Sequence, residues 1–124
     1  MTILVIDDEA PVRALIARAL TELGYRVREA GSGAEALRLV DEAPPELVVL
    51  DYLMPGMDGA ETAREILRRD PDMPIVFSTG HGALRALREA AGDDASILEK
   101  PFTLAELDAL VSRSIRPARR IAIG

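Results

Sequence analysis

Five polar side chains stand where apolar runs stop: Asp7 and Asp8 after Thr2 to Ile6, Asp51 after Leu47 to Leu50, Thr79 after Pro74 to Ser78, and Lys100 after Ala95 to Leu98. Carboxylates gathered at one place repel, at ~1 to 4 kcal/mol for two like charges ~4 Å apart, depending on the local dielectric. A cluster of Asp7, Asp8 and Asp51 therefore needs a cation. All-oxygen donors suit a hard divalent ion, Mg²⁺ above all, which takes one or two carboxylates and keeps several waters, with Mn²⁺ as the alternative. Lys100 adds a fixed positive charge and Thr79 a hydroxyl donor, so the group describes a pocket for an anion, most simply a phosphoryl group. A carboxylate in such a pocket can act as nucleophile and become an aspartyl phosphate, while the ion, the ammonium and the hydroxyl stabilise charge on the transferring oxygens. Asp51 is the candidate acceptor because it closes an apolar run with no polar transition.

This chemistry requires elements that bring the four run ends to one edge. Four to eight apolar residues between turn formers read as strands, and Leu47 to Leu50 reads as one buried on both faces. Tyr25 to Glu29 alternates apolar and charged residues and belongs near a sheet edge. Pro11 to Leu23 carries Val12, Leu15, Ile16, Ala19, Leu20 and Leu23 at helical spacing, with Gly24 as its left-handed stop. Ser32 with Glu35, Asp58 with Glu61 and Thr103 with Glu106 are capping boxes that open helices. The last helix directs Leu104, Leu107, Leu110 and Val111 inward, and the helix bearing Leu84 and Leu87 has a thin apolar face. Strand and helix alternate five times. The fold expected is a single α/β domain: a five-stranded parallel sheet, order 2-1-3-4-5, doubly wound (βα)5 and flavodoxin-like, with helices on both faces. In that order the first and third strands are neighbours, and the strand ends converge at the edge where ligands bind in open α/β sheets.

The 124 residues are enough for one domain and too few for two. With two Phe, two Tyr and no Trp, the core must be built from Leu, Ile, Val and Ala. A formal charge of −6 with scattered arginines disfavours nucleic-acid binding. The absence of Cys removes disulfides, thiolate metal sites and Cys nucleophiles. The apolar start runs straight into Asp7-Asp8-Glu9, which is no signal peptide, and no apolar run is long enough to span a membrane. A soluble, cytoplasmic protein, monomeric or weakly dimeric, is expected.

Together, Val5-Ile6-Asp7-Asp8-Glu9, Leu50-Asp51-Tyr52-Leu53-Met54-Pro55-Gly56-Met57-Asp58-Gly59, Ser78-Thr79-Gly80 and Glu99-Lys100-Pro101-Phe102 resemble the receiver domain of two-component response regulators. The resemblance runs from Thr2 to about Ile115 with motif order intact. It implies that Asp51 is phosphorylated by a histidine kinase or histidine phosphotransfer protein, and that Asp8, Asp51 and the Leu53 carbonyl hold Mg²⁺, with Asp7 acting through a bound water. It also implies that Thr79 and Lys100 contact the phosphoryl oxygens and that the Lys100-Pro101 bond is cis. Most receivers carry Tyr or Phe as a rotameric switch where this chain has Ile97, so the usual aromatic coupling cannot operate and readout must come from loop and helix rearrangement. Pro74, Phe77, Thr79 and Gly80 match a single-domain subgroup that also lacks the aromatic, and Ile75, Ser78 and His81 depart from it.

The surface of the fourth helix, fifth strand and fifth helix is the expected output face, with Arg85, Arg88 and Ile97 on it and an unknown downstream protein as partner. Leu53 and His81 would form the rim of the pocket and tune the lifetime of the phosphorylated state. Residues 1–116 are expected to form the domain and 117–124 a short basic, flexible tail; Arg116, Arg119 and Arg120 read as solubilising charges. That tail is too short for an effector, and the initial Met directly precedes the first strand, so a stand-alone receiver is expected. The alternatives are a phosphate sink or the receiver segment of a hybrid kinase. A phosphatase of the haloacid dehalogenase type would need a second Asp at position 53, where Leu53 stands, so no turnover is expected beyond acceptance from a donor and slow self-dephosphorylation. An unphosphorylated binding module is the remaining rival.

Overall fold

Short apolar runs pair side by side because each is too brief to cover itself. In the computed structural model, which describes residues 1–52, 59–80, 84–92 and 95–117, they are β1 (Thr2–Ile6), β2 (Arg26–Ala30), β3 (Leu47–Asp51), β4 (Ile75–Thr79) and β5 (Ser96–Glu99). All pairings are parallel and the order is β2-β1-β3-β4-β5. Between them run α1 (Ala10–Glu22), α2 (Gly33–Glu42), α3 (Gly59–Arg69), α4 (Leu84–Ala91) and α5 (Leu104–Ser114). Successive strand side chains point to opposite faces. Ile3, Val5, Val49, Val76 and Leu98 accordingly meet α1 and α5 through Ile16, Leu20, Leu107, Leu110 and Val111. Leu4, Ile6, Val48, Leu50 and Phe77 meet α2, α3 and α4 through Ala36, Val40, Ala63, Ile66 and Leu87.

Several ends differ from the sequence expectation by one residue: α1 begins at Ala10, and β2, β4 and β5 each start and stop one residue later. The shift makes Thr79 the last residue of β4. Two leucines are placed differently. Leu15 is 69% exposed and Leu104 51% exposed. Leu15 lies on the flank of a stripe centred on Ile16, Ala17 and Leu20, and Leu104 lies in the first turn of α5, ahead of the part that reaches the sheet.

Gly24 has φ of +99°, and the Gly24 and Tyr25 N–H groups donate to the Thr21 and Leu20 carbonyls, closing α1 in a Schellman motif. Thr103 and Glu106 form the reciprocal capping box of α5. At α2 only half of the box is present: Ser32 Oγ accepts from the Glu35 N–H at 3.2 Å, while the Glu35 carboxylate turns to the Gly31 N–H at 3.4 Å. Asp58, the expected cap of α3, lies outside the described residues.

Arg116 is no solubilising charge. Its guanidinium grips Asp70 with both Nη nitrogens, at 3.1 Å and 2.6 Å, and Nη2 also donates to the Pro45 carbonyl at 3.0 Å. The Asp70 side chain is 7% exposed and that of Arg116 15%. The pair ties the end of α5 to the base of the sheet, the edge away from the strand C-termini.

Candidate functional site

The apolar strands deliver their polar ends to one edge. Asp7 leaves β1, and its N–H is anchored on the Ala30 carbonyl at 3.1 Å. Asp51 is the last residue of β3, Thr79 the last of β4, and Lys100 follows β5 with its N–H on the Thr79 carbonyl at 2.7 Å. Asp7 and Asp51 are 1% and 6% exposed, whereas Asp8 is exposed. One carboxylate oxygen from each of Asp7, Asp8 and Asp51 lies within 4.8 Å of the others. Lys100 Nζ sits between the buried pair, 3.3 Å from Asp7 Oδ2 and 3.8 Å from Asp51 Oδ1. Thr79 is buried, and its Oγ1 donates to the Gly80 carbonyl at 3.4 Å. The Lys100–Pro101 peptide is cis.

The electrostatics follow directly. The Asp7, Asp8 and Asp51 charges sum to −3, Lys100 contributes +1, and the remainder is −2. That remainder and the all-oxygen donor set fit a hard divalent cation. The lysine's engagement with Asp7 was not legible in sequence, which assigned it only to an incoming anion.

The backbone around Asp51 is held on both sides. Tyr52 N–H donates to the Ser78 carbonyl at 3.0 Å, and its own carbonyl accepts from Gly59 N–H at 2.9 Å. A Cβ at Gly59 would lie 2.5 Å from Tyr52 Cα and 2.6 Å from the Asp51 carbonyl oxygen, so α3 starts directly on the Asp51–Tyr52 peptide. Gly59→Ala must push these backbones apart. The expected cost is about 1–3 kcal/mol of stability, read as a lower urea midpoint. An unchanged midpoint would contradict this packing.

Residues assigned to readout lie elsewhere. Ile97 is half-buried on β5 and packs with Phe77 and Leu87 on the α4 side. Arg85 and Arg88 are exposed on α4, Arg85 pairing with Glu89 at 3.3 Å. Leu53 and His81, the expected rim, lie outside the described residues. Two further side chains, Tyr52 next to Asp51 in the chain and Arg13 on α1, were not singled out in sequence. Tyr52 meets Phe77 edge to face at 6.3 Å and, with Ala63, Leu67, Leu87 and Ala95, lines a cavity of about 460 Å³ between α3 and α4. Arg13 donates to the Asp7 carbonyl oxygen at 2.8 Å.

Residues 3–112 match the family model of the response regulator receiver domain. The chain belongs to that family. Among curated relatives, the response regulator receiver protein CpdR of Brucella abortus is 39% identical over 106 residues, covering 85% of this chain and 88% of that protein. The probable transcriptional regulator ycf27 of Porphyra purpurea is 40% identical over 121 residues, 96% of this chain and 49% of that protein. The chain thus spans about half the length of several curated relatives it matches. The receiver domain of NtrX from Brucella abortus superposes with a TM-score of 0.85 at 34% identity, covering 90% of this chain and 95% of that one. Receivers of this family are signalling phosphoacceptors, and in this one the acidic cluster is a place that could hold a metal. Among the described residues no helix is long and apolar enough to cross a membrane.

Proposed function

We propose that this receiver accepts a phosphoryl group on Asp51 from a histidine kinase or histidine phosphotransfer protein, in a Mg²⁺-dependent step in the cytoplasm, and passes the signal on by protein contact. The observation that carries the reading is the near-buried Asp51 carboxylate, with Lys100 Nζ 3.8 Å away inside a cluster that retains two negative charges beyond the lysine. Asp7, Asp8 and Asp51 would hold the ion, with Asp7 through a water, and the Leu53 carbonyl would complete the set. Bound there, Mg²⁺ or Mn²⁺ supplies charge neutralisation for the acids and for the phosphoryl oxygens.

The chain's own residues perform the transfer. A lone pair on the Asp51 carboxylate forms the new O–P bond as the P–N bond of the donor phosphohistidine breaks. The electron pair stays with the imidazole nitrogen, and the donor leaves as neutral histidine because the other ring nitrogen carries the proton. Lys100 and Thr79 present an ammonium and a hydroxyl to oxygens on which charge develops. Leu53 and His81 at the rim would set how fast water reaches the aspartyl phosphate. Readout would shift an existing equilibrium at the α4–β5–α5 surface, involving Ile97, Arg85 and Arg88, without the customary aromatic.

The test is incubation with Mg²⁺ and a small acyl phosphate, followed by intact and peptide mass measurement. A single phosphoryl adduct on Asp51, missing in Asp51→Asn and in EDTA, is expected. No adduct with either small-molecule or kinase donors overturns the reading. Sustained turnover of phosphate esters would replace it with phosphatase activity.

A further inference from the structure

We infer that Arg13 is a positioning residue for the acidic pocket: its guanidinium props the turn carrying Asp7 and Asp8 and thereby sets the pocket's affinity for a divalent cation. The inference rests on the metal-dependent reading above and adds to it a residue outside the pocket.

Arg13 lies in the first turn of α1, directly after the turn that bears the acids. Its Nη1 donates to the Asp7 main-chain oxygen at 2.8 Å and its Nε to Glu29 Oε1 at 3.2 Å. The Asp7 oxygen belongs to the peptide plane that joins Asp7 to Asp8. Because that unit is planar, fixing its oxygen fixes the direction in which Asp8 departs. The Asp7 N–H is already held by the Ala30 carbonyl at 3.1 Å, and Asp7 Oδ1 accepts from the Glu9 N–H at 2.9 Å. Arg13 thus closes the remaining freedom of the turn, and its own N–H returns to the Glu9 carbonyl at 2.9 Å. Space for the guanidinium is provided by Gly31, where a Cβ would lie 3.1 Å from Nη1. Glu29 holds the far side of the same group, so β2 supplies the brace and the residue that follows it the opening.

Charge and position make opposite demands here. A positive guanidinium beside the cluster repels a cation, so if Arg13 acted through charge alone, removing it would tighten metal binding. If it acts by holding the turn, removing it loosens the ligands and weakens binding, by about 10-fold for an outer-shell partner of a metal site. The sign of the effect decides.

The experiment titrates Mg²⁺ by calorimetry and Mn²⁺ by electron paramagnetic resonance against the natural chain and three variants, with thermal melts alongside. Arg13→Met is expected to bind both ions about 10-fold more weakly. Gly31→Ala, which keeps the charge but crowds the guanidinium, is expected to weaken binding in the same direction by less. Glu29→Gln, whose amide oxygen still accepts from Nε, is expected to match the natural chain. Equal or tighter binding by Arg13→Met in a chain that melts normally overturns the inference, as does unchanged affinity in Gly31→Ala. Failure of the natural chain to bind either ion overturns the metal reading itself, and this inference with it.

Discussion

Lys100→Met is expected to accept phosphate from a small acyl-phosphate donor about 10²- to 10³-fold more slowly than the natural chain, the loss typical of removing one preorganised charge stabiliser. The same change has an opposite effect on the resting pocket. Lys100 Nζ stands 3.3 Å from Asp7 and 3.8 Å from Asp51, whose side chains are 1% and 9% exposed. Without it, two buried acids and the solvent-exposed Asp8 lose the ammonium that stands between the buried pair. Mg²⁺ should bind more tightly, and the variant should melt lower in EDTA than the natural chain while regaining most of the difference in Mg²⁺, because a ligand of the folded state stabilises it by mass action. Time-resolved intact mass and melts with and without Mg²⁺ measure both arms. Phosphorylation at the natural rate would remove Lys100 from the proposed chemistry.

Arg116→Ala is expected to cost about 3–5 kcal/mol, the range for removing one partner of a buried ion pair. Domains of this size are stable by about 5–15 kcal/mol, so the variant would approach the threshold of folding. The reason is local: Asp70, 6% exposed, loses a bidentate partner, and the Pro45 carbonyl loses a donor. Asp70→Leu combined with Arg116→Met removes both charges and should recover much of the loss, since an apolar pair of similar volume pays no desolvation. Urea denaturation of both single variants and the double variant measures the coupling. The pair lies at the sheet edge away from Asp51, so the fraction that remains folded should still be phosphorylated at the natural rate. Additive losses in the double variant would contradict the pairing.

The sheet and the identity of its polar strand ends were readable from the chain because both depend on local pattern. Apolar runs of strand length alternate with helical stripes, and a parallel sheet then forces Asp7, Asp51, Thr79 and Lys100 to one edge whatever the details of packing. What could not be read depends on side-chain paths through space. Leu15 and Leu104 obey helical spacing, yet the sheet does not extend beneath them. Arg116 stands at the head of a basic, aperiodic segment and looks like solvated charge, until the fold brings Asp70 within 2.6 Å across 46 residues of chain. Lys100 and Asp7 are 93 residues apart, so their pairing has no sequence signal at all. Arg13 was hidden differently: nothing local in the chain signals the Asp7 carbonyl it reaches, and only the glycine at position 31 hints that something must pass there.

The cavity between α3 and α4 opens to solvent, so water reaches apolar side chains that line it, Tyr52 and Leu67 among them. Covering such surface releases that water at a gain of about 25 cal/mol per Å². A dye that fluoresces only out of water should therefore settle on this flank of the sheet, while the opposite flank, where α1 and α5 are packed against the strands, offers it no comparable place.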